Sequence, residues 1–196
     1  MGFNDRVGIG TQWDNDISKN LKTIGFKIGR YNIENVAPDF SSDPHYANSD
    51  NPSILFARHF PDGIATDFKN NVSFFWDAKN GGSIEKNAYL TYCNLAKNGV
   101  KIILFIKNYT DYYCIPIESV VFCDSTEYIS KFSEEKRIPV EDGWICPRLL
   151  PVNRYIEWKK RSPYASGTPF KYVDFKKLKS YKIVFPFEYN IIEMFI

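Results

Sequence analysis

The stretch from Pro61 to Lys79, P-D-G-I-A-T-D-F-K-N-N-V-S-F-F-W-D-A-K, constrains the fold more than any other part of the chain. Val72 to Lys79 is built from strong β-formers, and Asn70-Asn71 suits a two-residue turn because asparagine tolerates positive φ. A β-hairpin is therefore expected here. Asn80-Gly81-Gly82-Ser83 then breaks the strand, with Ser83 as the expected helix N-cap. Residues 84–98 read as a helix ended by Asn98-Gly99, and V-K-I-I-L-F-I-K from Val100 to Lys107 reads as a buried strand. A hairpin followed by a helix and a buried strand calls for a mixed sheet with helices against it.

The rest of the chain extends this pattern. Trp13, Ile17, Leu21 and Ile24 recur at helical spacing, so residues 12–25 are expected to form a helix stopped at Gly25. Phe26 to Ile33 alternates as a strand, and 34–53, rich in Pro, Asp, Ser and Asn, reads as a long loop. Ile54 to Phe60 fits a short strand or helical turn. Cys114 to Phe122 is a further expected strand. Beyond Asp124, a helix over 126–137 and a strand over 144–150 are expected, 151–169 reads as irregular, and 173–181 fits a short helix or strand. The expected fold class is α/β, with a core over residues 1–124 that contains an insertion at 32–58. Residues 125–196 form a basic C-terminal extension packed on that core.

The hairpin's pairing decides which of its side chains meet. With Asn70-Asn71 as the turn, Asp62 lies opposite Lys79 and Asp77 opposite Ile64. Asp62, Asp77 and Lys79 then share one face at the open end, about 5–8 Å apart. Val72, Phe74 and Trp76 point the other way, into the core. Asp67 falls on the core face and near the turn, which removes it from the group. Five acidic residues precede a lysine by two positions (Asp67, Asp77, Glu134, Glu157 and Asp174). Only Asp77 follows an apolar strand, has Pro-Asp at hairpin distance upstream and a helix downstream. Two carboxylates and a lysine so placed are suited to hold Mg²⁺ or Mn²⁺ beside a phosphodiester and to activate water. The bland reading of the same three residues is a surface salt bridge.

Composition narrows the chemistry. Cys93, Cys114, Cys123 and Cys146 form no C-x-x-C pair, and there are only two histidines, His45 and His59. Reduced thiols are expected, and metal chemistry would have to be carboxylate chemistry. No apolar run reaches the roughly 18 residues of a membrane span, and the first residues lack a signal-peptide pattern, so a cytoplasmic protein is expected. The segment from Arg154 to Lys182 holds nine basic residues against Glu157 and Asp174, a net of +7 in a chain whose total is +2. Lys159, Lys160, Arg161, Lys176, Lys177 and Lys179 are its candidate phosphate contacts; a solvated lysine-rich face fits equally well. Tyr89 and Tyr92, at i, i+3 on the helix after Lys79, are placed as packing residues rather than DNA contacts.

Pro61-Asp62…Asp77-Ala78-Lys79 resembles the motif of the PD-(D/E)xK nuclease superfamily. Upstream, Gly10-Thr11-Gln12-Trp13-Asp14, Gly25-Phe26 and Arg30 are similar to the opening of archaeal Holliday-junction resolvases. The likeness spans roughly residues 8–31 and 59–107. It implies a restriction-endonuclease-like core with a mixed central β-sheet flanked by helices. It also implies a Mg²⁺- or Mn²⁺-dependent DNA endonuclease, acting on junctions or branched DNA. Asp62, Asp77 and the Ala78 carbonyl would hold the metal, with Lys79 catalytic and Asp14 in the place of the family's helix acid. Cutting two strands favours a homodimer. Asp14 departs from the family's usual Glu, and 32–58 and the residues after 124 exceed a minimal resolvase. A DNA- or protein-binding module without catalysis, and an RNA-processing enzyme, remain as alternatives.

Overall fold

The computed structural model describes residues 3–31, 49, 51–126, 137–161 and 167–193, with backbone only for 3–11 and 161. Most of the loop expected at 34–53 and of the helix expected at 126–137 therefore lies outside the described residues. Helix α1 (Phe3–Thr23) begins earlier than the periodicity suggested and ends where it was expected. Gly25, at φ +107°, takes the left-handed conformation that glycine adopts without penalty. Its N–H bonds to Lys22 O and that of Phe26 to Leu21 O, which satisfies two terminal carbonyls and buries Phe26 beside Leu21. Strand β1 (Lys27–Arg30) follows directly.

Six strands form the main sheet: β1, β2 (Gly63–Asp67), β3 (Val72–Asn80), β5 (Ile102–Asn108), β6 (Asp111–Pro116) and β10 (Lys182–Ile183), in that spatial order. All neighbours are antiparallel except β3 and β5, which run parallel because helix α3 (Lys86–Lys97) carries the chain between them. The apolar run of β5 is buried on both faces. Ile103 and Phe105 join Trp13, Ile17 and Leu21 of α1, Phe74 and Trp76 in one core. Ile102, Leu104 and Ile106 join Ala88 and Tyr92 of α3 in the other. The expected mixed sheet flanked by helices is what the chain forms.

The hairpin differs from expectation by two residues. Gly63 pairs with Trp76 and Asp67 with Val72, so the turn is Phe68–Asn71 rather than Asn70-Asn71 alone. Asp67 explains the longer turn. Its carboxylate accepts from the Lys69 N–H (2.9 Å), the Asn70 side chain (2.6 Å) and the Tyr189 hydroxyl (2.8 Å). Asn71 supplies the positive φ, +55°. A shift of two keeps every side chain on its face. Gly63 is required by close approach, because a Cβ there would sit 2.6 Å from Gly29 O and 2.8 Å from the Trp76 ring.

Several local expectations were wrong. Ser83 is not a helix cap but starts β4 (Ser83–Glu85), which pairs with β9 (Phe170–Tyr172) in a second, four-stranded sheet with β8 (Trp144–Ile145) and β7 (Val140–Glu141). The strand expected over Cys114–Phe122 runs instead from Asp111 to Pro116: Tyr109 at φ +56° lets the chain reverse tightly out of β5, and Ile117–Ser119 then forms a 3-10 turn. The span 151–169 is not irregular throughout: Val152–Arg161 is a helix, α4. Between β1 and β2, Pro52–Arg58 is a helix, α2, with Asn51 accepting from the Ser53 N–H as its cap. The C-terminal α5 (Tyr189–Glu193) returns to the α1 core, where the Asn20 amide exchanges two hydrogen bonds with the Phe187 backbone.

Candidate active site

The observed register improves the geometry that the sequence suggested. Continued one pair beyond Gly63 and Trp76, it sets Asp62 directly opposite Asp77. Asp77 is buried, 1 % exposed, on the face covered by α3. Lys79, two residues on along β3, reaches back and places its Nζ 2.8 Å from Asp77 Oδ2. The Lys79 side chain is 28 % exposed, so the cluster opens to solvent on its lysine side. The structure thus brings Asp62, Asp77 and Lys79 together.

The backbone of β3 contributes as well. The Phe75 N–H bonds to the O of Lys101, just before β5, and the N–H of Gly81, just after β3, bonds to Lys107 O on β5, so odd-numbered residues of β3 face that strand. Ala78, an even-numbered residue, turns its N–H and C=O towards the β2 side. There its N–H donates to Asp62 Oδ2 at 2.8 Å, which fixes the Asp62 carboxylate against the strand. The residue that the register would set opposite Ala78 is Pro61, which has no N–H to give the Ala78 carbonyl. The Pro-Asp pair therefore orients one carboxylate and supplies no strand donor to the neighbouring carbonyl oxygen.

The charges are unbalanced. Burial and the Asp77 carboxylate raise the Asp62 pKa from 3.8 to about 7, against opposing contributions from Lys79 and the Ala78 N–H. For Lys79, burial pulls downward, but Asp77 and Asp62 outweigh it and hold the ammonium above its usual range. With Asp62 ionised, two carboxylates facing one ammonium leave excess negative charge that a divalent cation would neutralise. Asp62, Asp77 and the Ala78 carbonyl form an all-oxygen set of the kind Mg²⁺ accepts while retaining several waters. Among the described residues, no three His, Cys, Asp or Glu side chains gather as a metal cage, so any such ion would be held largely by water and two carboxylates.

Asp14 is placed differently from Asp62 and Asp77. It is buried on α1 in an ion pair with Arg30 of β1, whose guanidinium also donates to Asn15 Oδ1 at 2.6 Å. Arg30 pairs with Gly63, and Gly63 with Trp76, so this ion pair lies at the same end of the sheet but on the α1 face. Lys159 and Lys160 lie on α4, whereas Lys176, Lys177 and Lys179 lie between β9 and β10. Lys177 is 3.6 Å from Asp174, and the side chain of Arg161 is outside the described residues. The basic candidates thus belong to two separate segments.

Two residues belong near the site that the spacing did not assign to it. Tyr92, buried on α3, bonds through its hydroxyl to Asp77; burial first, then Asp77 and Asp62, hold its pKa well above normal. It is a packing residue, as expected, and a support for Asp77 too. Glu85 closes β4 and acts electrostatically on Lys79 and Tyr92. Its Oε2 is 3.9 Å from Nδ1 of buried His59, whose pKa is lowered chiefly by burial. Glu85 could be found only through β4, whose pairing partner lies more than 80 residues away. All four cysteines are free thiols, as expected. No helix among the described residues is long and apolar enough to cross a membrane.

No protein-family model matches this chain, and no curated protein does. Among solved structures, it is similar to Archaeoglobus fulgidus Hjc, a Holliday junction resolvase from an archaeal hyperthermophile. That match has 12 % identity and a TM-score of 0.38, over 58 % of this chain and 77 % of the other. At that identity and score the match establishes neither a family nor a shared chemistry.

Proposed function

We propose that this protein is a metal-dependent nuclease that hydrolyses phosphodiester bonds in DNA, built on a restriction-endonuclease-like core. The observation that carries this reading is the meeting of Asp62, the residue just before β2, with Asp77 of β3, where Asp62 is held by the Ala78 N–H and Lys79 is bound to Asp77. Asp62, Asp77 and the Ala78 carbonyl would hold Mg²⁺ or Mn²⁺, which supplies charge neutralisation at the phosphate and a more acidic bound water. Asp62 is oriented by the Ala78 N–H, and Asp77 by Tyr92. Lys79 is a fixed cation at the exposed side of the pair, placed to orient the attacking water or to stabilise negative charge on the phosphate. Asp14 is held by Arg30 and would join only through water or after that pair opens. Lys159, Lys160, Arg161, Lys176, Lys177 and Lys179 are proposed phosphate contacts, with affinity falling steeply as salt rises. Branched DNA as substrate and a homodimer that cuts both strands belong to the same proposal.

The test is cleavage of supercoiled plasmid and branched DNA with Mg²⁺ or Mn²⁺ by wild type and Asp77→Ala. Loss of metal-dependent cleavage in the variant supports the assignment; equal cleavage by both proteins overturns it. The engagement of Asp14 by Arg30 favours a second reading, a DNA- or protein-binding module on the same fold without catalysis. In that case neither protein cleaves DNA or RNA.

A further inference from the structure

Next to the carboxylate pair, four aromatic rings form one continuous cluster. Phe60 lies at its centre, with ring centroids 5.3 Å from Phe56, 5.7 Å from Tyr31 and 5.3 Å from Phe75, while Tyr31 and Phe75 are 6.0 Å apart. Phe60 and Phe75 are half-buried and anchor α2 to the sheet. The outer two are open: Tyr31 is 43 % and Phe56 48 % exposed. Among the described residues the other exposed rings, Phe68 and Tyr109, stand at the tips of hairpin turns. Tyr31 and Phe56 instead flank Phe60, each packed against it, and Tyr31 is backed by Phe75 as well.

Its position relates it to the carboxylates. Phe75 shares a face of β3 with Asp77, two residues away, and Phe60 is two residues before Asp62. The Tyr31 N–H donates to Asp62 O at 2.9 Å, so the backbone that carries the tyrosine is tied to the backbone that carries the carboxylate. An aromatic surface of this kind takes the face of a flat ring. In a double helix every internal base already stacks on both sides, whereas an unpaired base offers a free face. We infer that Tyr31 and Phe56 form a stacking platform for an unpaired nucleobase beside the scissile phosphate, which directs the protein to single-stranded or strand-separated DNA. The inference rests on the nuclease reading for its location, and the partner it names is a nucleic acid strand rather than a protein.

The experiment measures binding of a short single-stranded oligonucleotide carrying 2-aminopurine, and of the same oligonucleotide as a duplex. It uses the Asp77→Asn background so that the strand stays intact. Stacking should quench the analogue's fluorescence. Tyr31→Leu and Phe56→Leu, which keep apolar bulk but remove the ring, should each weaken single-strand binding about 5- to 100-fold and abolish the quench, with duplex binding changed less than about twofold. Tyr31→Phe should behave as the parent. Thermal melting of each variant confirms that it is folded. Unchanged affinity and quench in the folded leucine variants would overturn the platform, as would equal losses for single strand and duplex. Ring-dependent quenching without cleavage by the wild type sinks the nuclease reading and leaves the platform standing. Normal wild-type cleavage with ring-independent binding does the reverse.

Discussion

Replacing Asp62 by asparagine should stabilise this protein near pH 8 and leave it almost unchanged near pH 4. The reason is the raised pKa of Asp62, about 7 in the folded protein against 3.8 for an ordinary aspartate, caused first by burial and then by Asp77. Between about pH 4 and 7 the folded state keeps a proton on Asp62 that the unfolded chain has released. Stability therefore falls as pH rises through that window and then levels off. At about 1.4 kcal/mol per pH unit, the upper bound on this cost is roughly 4 kcal/mol. Asp62 is only half-buried, so solvent screening lowers it to about 2 kcal/mol. Asparagine removes the charge but keeps a side-chain oxygen to accept the Ala78 N–H bond. For a chain of 196 residues, 2 kcal/mol corresponds to roughly 4–8 °C in melting temperature. The assay is thermal unfolding followed by circular dichroism in EDTA, wild type against Asp62→Asn, at both pH values. A variant equally stable, or less stable, than wild type near pH 8 would refute the claim that burial and the facing Asp77 carboxylate penalise the ionised form of Asp62.

Two other substitutions separate the site from its surroundings. Lys79→Met removes the cation that offsets both carboxylates and should cost about 2–3 kcal/mol near pH 8, read by the same melts. The loss should shrink near pH 4, where protonated Asp62 no longer needs it. Asp67→Ala removes the acceptor that closes the hairpin turn and should lower the melting temperature by several degrees. Its metal-dependent cleavage, measured on the folded protein, should match wild type, in contrast to Asp77→Ala.

The faces of the hairpin were legible in the sequence because alternation along a strand has a period of two. Phe74 and Trp76 against Asp77 and Lys79 could be sorted by counting. The register was not legible, because the turn is closed by the Asp67 side chain and by Tyr189 from the far end of the chain. An error of two residues preserves parity, so the same three residues remained together and only their partners changed. Ser83 looked like a helix cap because β4 exists only through its pairing with β9. Helix α4 was obscured by the prolines and glycine around it, although Pro151 stands where a proline can precede a helix. At Asp14 the sequence suggested a carboxylate but not its partner Arg30, which sits on a neighbouring strand.

The central claim, that Asp62 and Asp77 form a divalent-cation site, is tested most directly by calorimetric titration with Mn²⁺ near pH 8. Wild type should show saturable binding that Asp77→Ala abolishes and Asp67→Ala retains. No binding by wild type, or the same binding by wild type and Asp77→Ala, would contradict it.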